Sequence, residues 1–562
     1  MRFIRYLLLA SLIGLASCQQ TSNKTDVSEN PSPKPNILLI VADDLGYSDI
    51  GPFGGDIKTP VLDKLGKESM LFSNFHVLPT CSPSRSALLT GNDNHVAGVG
   101  IMSEMDYPAL HDQQLPGYSA SLSKQVATIP ELLRENGYHT YMVGKWHLGE
   151  KAGQLPADRG FEESFILGTG GGSHFNDRRP LSPLQHMDYY RNRTMVELPE
   201  NFYSTRDYTD TLIRFMDMHR EDKKPFFAFL SYTAVHDPMH APDDYIAKYK
   251  GAFDKGWDSL WLERFNNLKA LGILPKEMKT KKNPAIPGWN KLSAKDKAAN
   301  ARDMEVYAAM LDYMDMSIGR VLDHLRKSGQ YDNTVIIFIS DNGANGALGS
   351  TYPGNEDGKY MATFDNSLEA RGKKGSYAEM GPGWAQASSA PFRYFKSFTT
   401  EGGIRAPLIM KVPGASQQGG QWNHELFHVT DIMPTLLEIT GTSYPESFSG
   451  NKLHPLIGKS LRSQFFGAPT AVHEKDGIGY ELFEMKAYIR GKWKLLRLPV
   501  PMGSGQWELY DLSTDPGETT DLSAQHPEII TELTAAWNSY AKENDVYDHK
   551  GHYDSLYRRS FK

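Results

Sequence analysis

Residues 36–44 read Asn-Ile-Leu-Leu-Ile-Val-Ala-Asp-Asp, an apolar run that ends in two adjacent carboxylates. The apolar part, Asn36–Val41, is short and continuous, which is typical of a strand buried in a parallel sheet. A second run of this kind, Thr334–Ser340, ends in the same way at Asp341 and Asn342. Ligands of open α/β sheets bind at the carboxyl ends of the strands. We therefore expect the two strands to bring four oxygen-bearing side chains together.

These four side chains form a candidate metal site. Adjacent carboxylates repel one another unless a cation lies between them. The carboxylates of Asp43, Asp44 and Asp341, together with the amide oxygen of Asn342, suit a hard cation such as Ca²⁺ or Mg²⁺ rather than zinc. Each pair could instead form a turn or cap a helix, so the residues alone leave both interpretations open.

Apolar runs alternate with helical patterns from about Asn36 onward, which indicates an α/β fold with a large, mostly parallel sheet flanked by helices. Further strands are predicted at Tyr138–Val143 and Phe226–Tyr232. Helices are predicted at 59–69, 129–137, Met304–Lys327 and Asp431–Thr440.

The tail has a different pattern, with short strand-like runs joined by turns from about Ala468. They are Tyr488–Arg490, Lys494–Leu498 and Gln506–Leu512, and a helix follows near Glu528–Glu543. This order predicts a smaller C-terminal antiparallel sheet with one helix. The boundary is expected near residues 455 to 468, which gives a catalytic domain over 36–460 and a C-terminal α+β subdomain over 461–562.

The N-terminus has the features of an export signal. Two arginines precede an apolar run, Leu7–Ala16, that is too short to cross a membrane comfortably and is typical of a signal peptide. The run ends in Leu-Ala-Ser-Cys, which resembles the bacterial lipoprotein processing box. We therefore predict a lipoprotein signal peptide over 1–17, a lipidated Cys18 and a disordered tether over 18–35. The protein would then be exported and anchored by lipid in the bacterial cell envelope. An ordinary signal peptide that ends near a cysteine is the alternative.

Charge and cysteine content narrow the possible functions. The net charge of −7 argues against general binding to nucleic acid, which requires a basic face. The chain has two cysteines, Cys18 and Cys81. If Cys18 is lipidated, Cys81 has no disulfide partner, and an unpaired cysteine in an exported protein indicates special chemistry. A buried, inert thiol is the alternative.

The sequence around Cys81 carries a family signature. Residues 79–91 read Pro-Thr-Cys-Ser-Pro-Ser-Arg-Ser-Ala-Leu-Leu-Thr-Gly. This segment resembles the signature of the type I sulfatases, Cys-x-Pro-x-Arg followed by a short helix that ends in Thr-Gly. The resemblance implies an alkaline-phosphatase-like fold. It also implies that a formylglycine-generating maturation enzyme oxidises Cys81 to formylglycine (3-oxoalanine).

Other segments extend the resemblance over roughly residues 35–547, and the bacterial arylsulfatases are the branch most similar to the chain. The matching segments are Gly144–Gly149, Thr233–Pro238, Glu401–Pro407 with Lys396 before it, Trp507–Leu512 and Asp515–Glu518. No departure from the family pattern occurs at a position that would be catalytic.

The resemblance implies a chemical role for each candidate site residue. Ca²⁺ would be bound by Asp43, Asp44, Asp341, Asn342 and formylglycine 81. The remaining side chains would act on residue 81 or on the sulfate. Arg85 would steady formylglycine 81, and Lys145 and Lys396 would contact the sulfate oxygens. In proton transfer, Asp341 would take the proton of the attacking hydroxyl, His147 would be the base that helps to expel sulfate, and His236, with Lys396, would assist the leaving oxygen.

Residue 81 also lies where an anion would bind. It would start a helix over Ser82–Thr90, where backbone N–H groups and the helix dipole favour a negative charge such as that of a sulfate ester. In the mechanism that the resemblance implies, one hydroxyl of the hydrated aldehyde attacks sulfur. The other then expels sulfate by re-forming the aldehyde, a route that a serine lacks.

The predicted function is therefore hydrolysis of sulfate monoesters, of the arylsulfatase type, to an alcohol or phenol plus sulfate. The substrate would be a small-molecule or carbohydrate sulfate ester. A formylglycine-dependent phosphonate monoester or phosphodiester hydrolase is the alternative, since relatives in the same superfamily use similar sites. A binding protein on an inactive enzyme scaffold would show gaps among the catalytic residues, and the sequence shows none.

Overall fold

The apolar run after Pro35 forms a central strand of a large sheet in the computed structural model. The structure describes residues 33–105, 115–279, 283, 285–416 and 419–548. The predicted signal peptide, the lipidated Cys18 and the tether up to residue 32 lie outside the described residues. Among the helices of the described part of the chain, none is long and apolar enough to cross a bilayer.

The strands of the large sheet come from the whole first part of the chain. They are β1 Asn36–Ala42, β2 Met70–His76, β3 His139–Lys145, β4 Glu163–Leu167, β5 Tyr189–Arg191, β6 Thr194–Met195, β7 Phe226–Ser231, β8 Thr334–Ser340, β9 Arg405–Lys411, β10 Gln421–Asn423 and β11 Phe427–His428. Two short strands outside this sheet, β12 Ser447–Phe448 and β13 Asn451–Lys452, pair with each other.

Twelve α-helices occur in the described residues. They are α1 Pro60–Glu68, α2 Cys81–Thr90, α3 Ile129–Glu135, α4 Ser204–Met218, α5 Asp243–Lys248, α6 Trp257–Ala270, α7 Ala294–Lys327, α8 Gly381–Ser388, α9 Glu401–Ile404, α10 Ile432–Thr440, α11 Arg462–Phe466 and α12 Pro527–Glu543.

The large sheet is mixed and mostly parallel, as predicted. Its described strands follow the order β10-β2-β9-β8-β1-β7-β3-β4-β5-β6, and β11 also pairs with β2. The central strands β8, β1, β7, β3 and β4 are all parallel to their neighbours in this group. In contrast, β9 is antiparallel to both β8 and β2. The predicted fold class is therefore confirmed.

The register of the central strands places the acidic residues together. β1 pairs with β8 so that Ala42 lies opposite Ser340. The residues that follow, Asp43 and Asp341, therefore leave the sheet side by side. The backbone N–H of Asp341 also donates to the carbonyl of Ala42 at 3.2 Å, which continues the ladder into the loops.

The long helix α7 begins ten residues before its predicted start at Met304. Ser293 caps it, because its side chain accepts a hydrogen bond from the backbone N–H of Asp296. The first turns are mostly exposed and lack an apolar stripe, so periodicity in the sequence does not show them. The buried face of the helix begins at about Ala301.

The C-terminal part contains a four-stranded antiparallel sheet, β14 Ile478–Leu482, β15 Met485–Arg490, β16 Trp493–Arg497 and β17 Glu508–Asp511. Helix α12 packs against it through Leu533 and Trp537. This confirms the predicted antiparallel sheet plus helix and adds β14 to the predicted strands. The described residues from Pro35 onward form one compact unit, and the division between 460 and 461 stays a prediction.

Buried ion pairs join the C-terminal sheet to the large sheet. Lys494 of β16 contacts Glu401 at 2.9 Å and Glu518 at 2.7 Å, and these side chains are fully buried. Glu401 also contacts His76 at 2.9 Å and Arg405 at 3.3 Å. The Glu401–Pro407 segment therefore connects strands of both sheets.

A second buried link involves His95. Its Nδ1 lies 2.9 Å from Asp93 Oδ1, and its Nε2 lies 3.7 Å from Glu481 of β14. The hydroxyl of Tyr540 in α12 donates to Asp93 Oδ2 at 2.8 Å. Burial by itself would lower the pKa of His95, but Asp93 and Glu481 outweigh this effect and raise the pKa to about 9.

This raised pKa makes the stability of the protein depend on pH in a defined window. A group whose pKa is higher in the folded state stabilises it fully below the unfolded value, here 6.5, and loses that contribution as the pH rises through the folded value. We expect His95 to contribute up to about 3 kcal/mol below pH 6.5 and to lose most of it by pH 9. The measurement is urea unfolding of the wild type and His95→Gln from pH 6 to pH 9.5.

The exposed His454 offers the control, because His454→Gln changes the same residue type away from this cluster. Its difference from the wild type should not vary with pH. A difference between the wild type and His95→Gln that stays constant from pH 6 to pH 9.5 would contradict the assignment.

Candidate active site

Cys81 lies at the first position of α2, buried at the carboxyl end of the large sheet. The predicted helix start, Ser82, is one residue later than the observed start. The thiol donates to Asp43 Oδ1 at 3.5 Å and to Asp44 Oδ1 at 3.8 Å. It is a free cysteine. Burial raises the pKa of this thiol well above its usual value, so the unmodified side chain is not a reactive thiolate.

Three buried carboxylates surround Cys81, and the nearest cationic partner of each comes from another part of the chain; Arg85 also lies 3.7 Å from Asp43. The pairs are Asp43 with Lys145 at 2.8 Å, Asp44 with Lys396 at 2.7 Å, and Asp341 with Arg85 at 2.8 Å. All six side chains are at most 6% exposed. The six formal charges sum to zero, which allows them to be buried together.

Arg85 connects α2 to three strands. Its Nη1 donates to the carbonyl of Lys145 at 3.1 Å and to the hydroxyl of Ser231. Its Nε and Nη2 both donate to Asp341 Oδ2. The guanidinium therefore fixes the ends of β3, β7 and β8 relative to Cys81.

A glycine allows the close approach of β3 and β7 at this point. Gly144 has a φ of 99°, and a Cβ atom there would lie 1.7 Å from the carbonyl oxygen of Ser231. Any other residue would displace Lys145 from the site. Asp44, His147 and Ser397 also have positive φ values, a conformation that is uncommon for non-glycine residues.

Asn342 supplies an amide beside the carboxylates. Its Nδ2 donates to Asp44 Oδ1 at 2.6 Å, whereas its Oδ1 is buried without a hydrogen-bond partner among the described residues. Burial raises the pKa of Asp43 to about 7, despite the nearby Lys145. An unpartnered amide oxygen and a carboxylate whose charge is poorly stabilised both fit a bound cation. The side-chain atoms of Asp43, Asp44, Asp341 and Asn342 that can bind a metal ion are all oxygens, which suits a hard divalent ion.

Two histidines flank this cluster. His236 Nδ1 donates to the carbonyl of Asp237 at 2.6 Å, so its Nε2 carries the lone pair and accepts from Lys396 Nζ at 3.2 Å. Burial, with the positive charge of Lys396, lowers the pKa of His236 well below its usual value. His236 Nε2 also lies 3.3 Å from Asp44 Oδ2. One donor atom from each of Asp43, Asp44, Cys81 and His236 lies within 4.8 Å of the other three.

The second histidine has a partner that sequence reasoning missed. His147 Nε2 lies 2.7 Å from Glu104 Oε2, and the Gly170 N–H donates to Glu104 Oε1 at 2.9 Å. Glu104 lies in the segment Ile101–Met105, which matches no motif, so the sequence gives no signal for it. Glu104 and His147 are 43 positions apart in the sequence and come into contact only in the folded structure.

A cavity opens directly above Cys81. Its polar lining comes from Glu104, Lys145, His147, Gln185, His236, Lys396 and Ser397, and its apolar lining from Met102, Met105, Leu181, Ala347, Tyr352 and Pro353. The structure thus brings together all the predicted site residues from Asp43 to Lys396 at one end of the sheet. Cys18 lies outside the described residues.

Comparison with known proteins agrees with this geometry. The family model "Sulfatase" matches residues 35–442, and the model "N-sulphoglucosamine sulphohydrolase, C-terminal" matches residues 391–543. An uncharacterized sulfatase of Schizosaccharomyces pombe is 40% identical over 92% of this chain and 95% of its own length. An arylsulfatase of Klebsiella aerogenes is 38% identical over 76% of this chain and 91% of its own length.

A solved structure, of Ps i-CgsB in complex with k-i-k-neocarrahexaose, has the same fold. Its TM-score is 0.65 at 23% identity, and the match covers 94% of this chain and 97% of that chain. The predicted alkaline-phosphatase-like fold is confirmed. The family match over residues 35–442, together with the relatives at 38% and 40% identity, shows that this protein belongs to the sulfatase family and is a sulfuric ester hydrolase.

Proposed function

We propose that the protein hydrolyses sulfate monoesters of the aryl or carbohydrate type, with formylglycine derived from Cys81 as the nucleophile and Ca²⁺ as the metal. One observation carries the proposal. Three carboxylates and three cationic side chains, joined by buried ion pairs, surround the side chain of Cys81 in the lining of a cavity. Sulfatase family membership implies both formylglycine and a divalent metal.

Asp43, Asp44, Asp341 and Asn342 would hold the cation. A half-turn of the Asn342 amide exchanges its donor and acceptor, and so brings the unpartnered oxygen to the carboxylates. Ca²⁺ suits this set because it accepts carboxylate and amide oxygens in flexible geometry. When present, the cation would polarise the sulfate. The hydrated formylglycine would provide an oxygen nucleophile that can later release sulfate.

The two lysines would bind the substrate. Lys145 and Lys396 line the cavity and are held by Asp43 and Asp44. If Asp43 and Asp44 held a cation, Lys145 and Lys396 would be free to turn their ammonium groups toward the sulfate oxygens. Arg85, fixed by Asp341 and Ser231, would hold residue 81 in place. Positive groups around the sulfate stabilise the charge that develops in the transition state.

Proton transfer falls to four side chains. Asp341 would accept the proton of the attacking hydroxyl, and His147 would accept a proton while sulfate is expelled. His236 would assist the leaving oxygen together with Lys396, whose Nζ–H donates to the unprotonated His236 Nε2 and would supply the proton.

Sulfate esters are favoured over the phosphonate or phosphodiester alternative by the likeness to an arylsulfatase over 76% of the chain. Charge does not separate the two, because a sulfate monoester and a phosphodiester each carry one negative charge. Relative rates on the two substrates do separate them.

The first prediction that follows from the proposed function concerns substrate and nucleophile together. The protein, co-produced with a formylglycine-generating enzyme, should hydrolyse 4-nitrophenyl sulfate faster than bis(4-nitrophenyl) phosphate. Cys81→Ala should lower kcat at least a thousandfold, because removal of the nucleophile from other covalent enzymes causes a loss of at least this size. Initial rates of 4-nitrophenol release measure both.

Cys81→Ser is the matched variant, because it keeps a hydroxyl but cannot re-form an aldehyde. It should support at most one turnover. A preference for the diester would assign the function to the alternative, and activity that survives in Cys81→Ala would exclude residue 81 as the nucleophile.

The second prediction concerns the metal. Ca²⁺ should raise the melting temperature of the metal-free protein. At a Ca²⁺ concentration of a hundred times the Kd, the free energy of unfolding should rise by about 2.7 kcal/mol. Asn342→Leu should raise the Ca²⁺ concentration for half-saturation at least tenfold, or about 1.4 kcal/mol. Thermal unfolding during Ca²⁺ and Mg²⁺ titrations measures both.

Asn345→Leu is the control, since Asn345 is a neighbouring buried amide that donates to Asp237 instead. It should leave the Ca²⁺ titration unchanged. Saturation by Mg²⁺ at a lower concentration than by Ca²⁺ would contradict the choice of metal.

The third prediction concerns localisation. We propose that Cys18 is lipidated after cleavage of the signal peptide and that the acyl chains anchor the protein in the cell envelope, because each buried CH₂ group contributes about 0.8 kcal/mol. Cys18→Ser should lose palmitate labelling and leave the membrane fraction. Labelling that persists in Cys18→Ser would contradict the anchor, and Cys81→Ser serves as the cysteine control.

A further inference from the structure

Glu104 and His147 form a buried pair in the cavity wall above Cys81. The Nε2–Oε2 distance is 2.7 Å, and the side chains are 4% and 13% exposed for His147 and Glu104. The second carboxylate oxygen of Glu104 accepts the Gly170 N–H at 2.9 Å. With both oxygens engaged, the carboxylate has one orientation relative to the imidazole.

The pair determines which nitrogen of His147 carries the proton. A carboxylate only accepts hydrogen bonds, so Nε2 must be the protonated nitrogen. The lone pair of the neutral ring then lies on Nδ1. That atom is buried and has no hydrogen-bond partner among the described residues, while the ring lines the same cavity as Cys81.

We propose that Glu104 is a positioning residue for catalysis, which holds His147 as the Nε2–H tautomer so that Nδ1 is the proton acceptor during sulfate release. This inference rests on the proposed function. The logic is that of a carboxylate–histidine pair in a serine hydrolase, in which the acid orients the imidazole and selects its tautomer.

The electrostatics of the pair are consistent with this role. Burial lowers the pKa of His147, and the positive charges of Lys145 and Arg85 lower it further. Glu104 opposes this shift, and the pKa of Glu104 itself is lowered to about 2 because His147 outweighs the effect of burial. Glu104 thus stays ionised, and His147 is neutral and able to accept a proton.

The proton transfer belongs to the release of sulfate. In the matured protein, His147 Nδ1 would accept the proton of the free hydroxyl on residue 81, and the electrons of that O–H bond would form the carbonyl. The bond between the carbon of residue 81 and the sulfate oxygen breaks, and sulfate leaves with that electron pair. Glu104 would act through His147, the side chain with which it makes its buried hydrogen bond.

The test is Glu104→Gln, whose amide can donate to Nε2 and so move the imidazole proton to Nδ1. We expect kcat on 4-nitrophenyl sulfate to fall about a hundredfold, within the range for loss of general base catalysis. Release of the first equivalent of 4-nitrophenol should keep its rate, so the variant should show a burst of about one phenol per active site. A purely structural role would reduce the amplitude and rate of the burst as well.

Glu150→Gln is the matched control. Glu150 is a nearby half-buried acid whose contact is with His186 rather than His147. This variant should keep the steady-state rate within about twofold of the wild type. Equal loss of kcat in both variants would show that removal of any nearby carboxylate suffices, and would overturn the proposal.

A spectroscopic measurement tests the pair without turnover. Histidine ¹⁵N NMR of the unmodified Cys81 protein, with His147→Gln to assign the signal, should show His147 protonated at Nε2 and free at Nδ1. An Nδ1–H tautomer in the wild type would overturn the inference whatever the kinetics of the variants. Absence of sulfatase activity in the matured wild type would instead refute the proposed function and leave this tautomer result standing.

Discussion

Neutralisation of charge at the end of the large sheet is the constraint on which the rest of the structure depends. Three carboxylates are buried around Cys81, and an ionised group without a partner is very costly to bury. Each partner comes from a different element: Arg85 from α2, Lys145 from the end of β3, and Lys396 from the loop before α9. The chain must therefore bring distant segments to one point before any of these charges can be desolvated.

The surrounding fold provides the precision that this pairing requires. Parallel pairing of β1 with β8 sets Asp43 beside Asp341, and the absence of a side chain at Gly144 lets β3 approach Ser231. The C-terminal sheet contributes indirectly. Lys494 and Glu518 hold Glu401, which begins the segment that leads into β9.

The sequence predicts those strands and site residues that a local sequence pattern or a family motif marks. The strands β1 and β8 are continuous apolar runs, and the residues that follow them had to meet at the same edge. The residues Arg85, Lys145, His147, His236 and Lys396 were placed by likeness to a family, and the structure brings them together.

The parts that were missed depend on tertiary contacts. Glu104 is one acidic residue in a segment without periodicity, and only its contact with His147 distinguishes it. The first turns of α7 are mostly exposed and lack an apolar stripe, so their helical state depends on the Ser293 cap and on continuity with the buried part of the helix. Hydrophobic periodicity in a single sequence shows neither the contact of Glu104 nor the full length of α7.

The balance of charge also links metal and substrate. The three carboxylates and three cationic groups sum to zero, so a bound dication leaves an excess of two positive charges in a buried site. A sulfate monoester removes one of them, and an ionised oxygen on residue 81 removes the other. Binding of the cation and of the anionic substrate should therefore be mutually favourable, because each reduces the electrostatic cost of the other and such coupling is reciprocal. A site neutral in the absence of both ligands can fold without them and still gain affinity for each from the other.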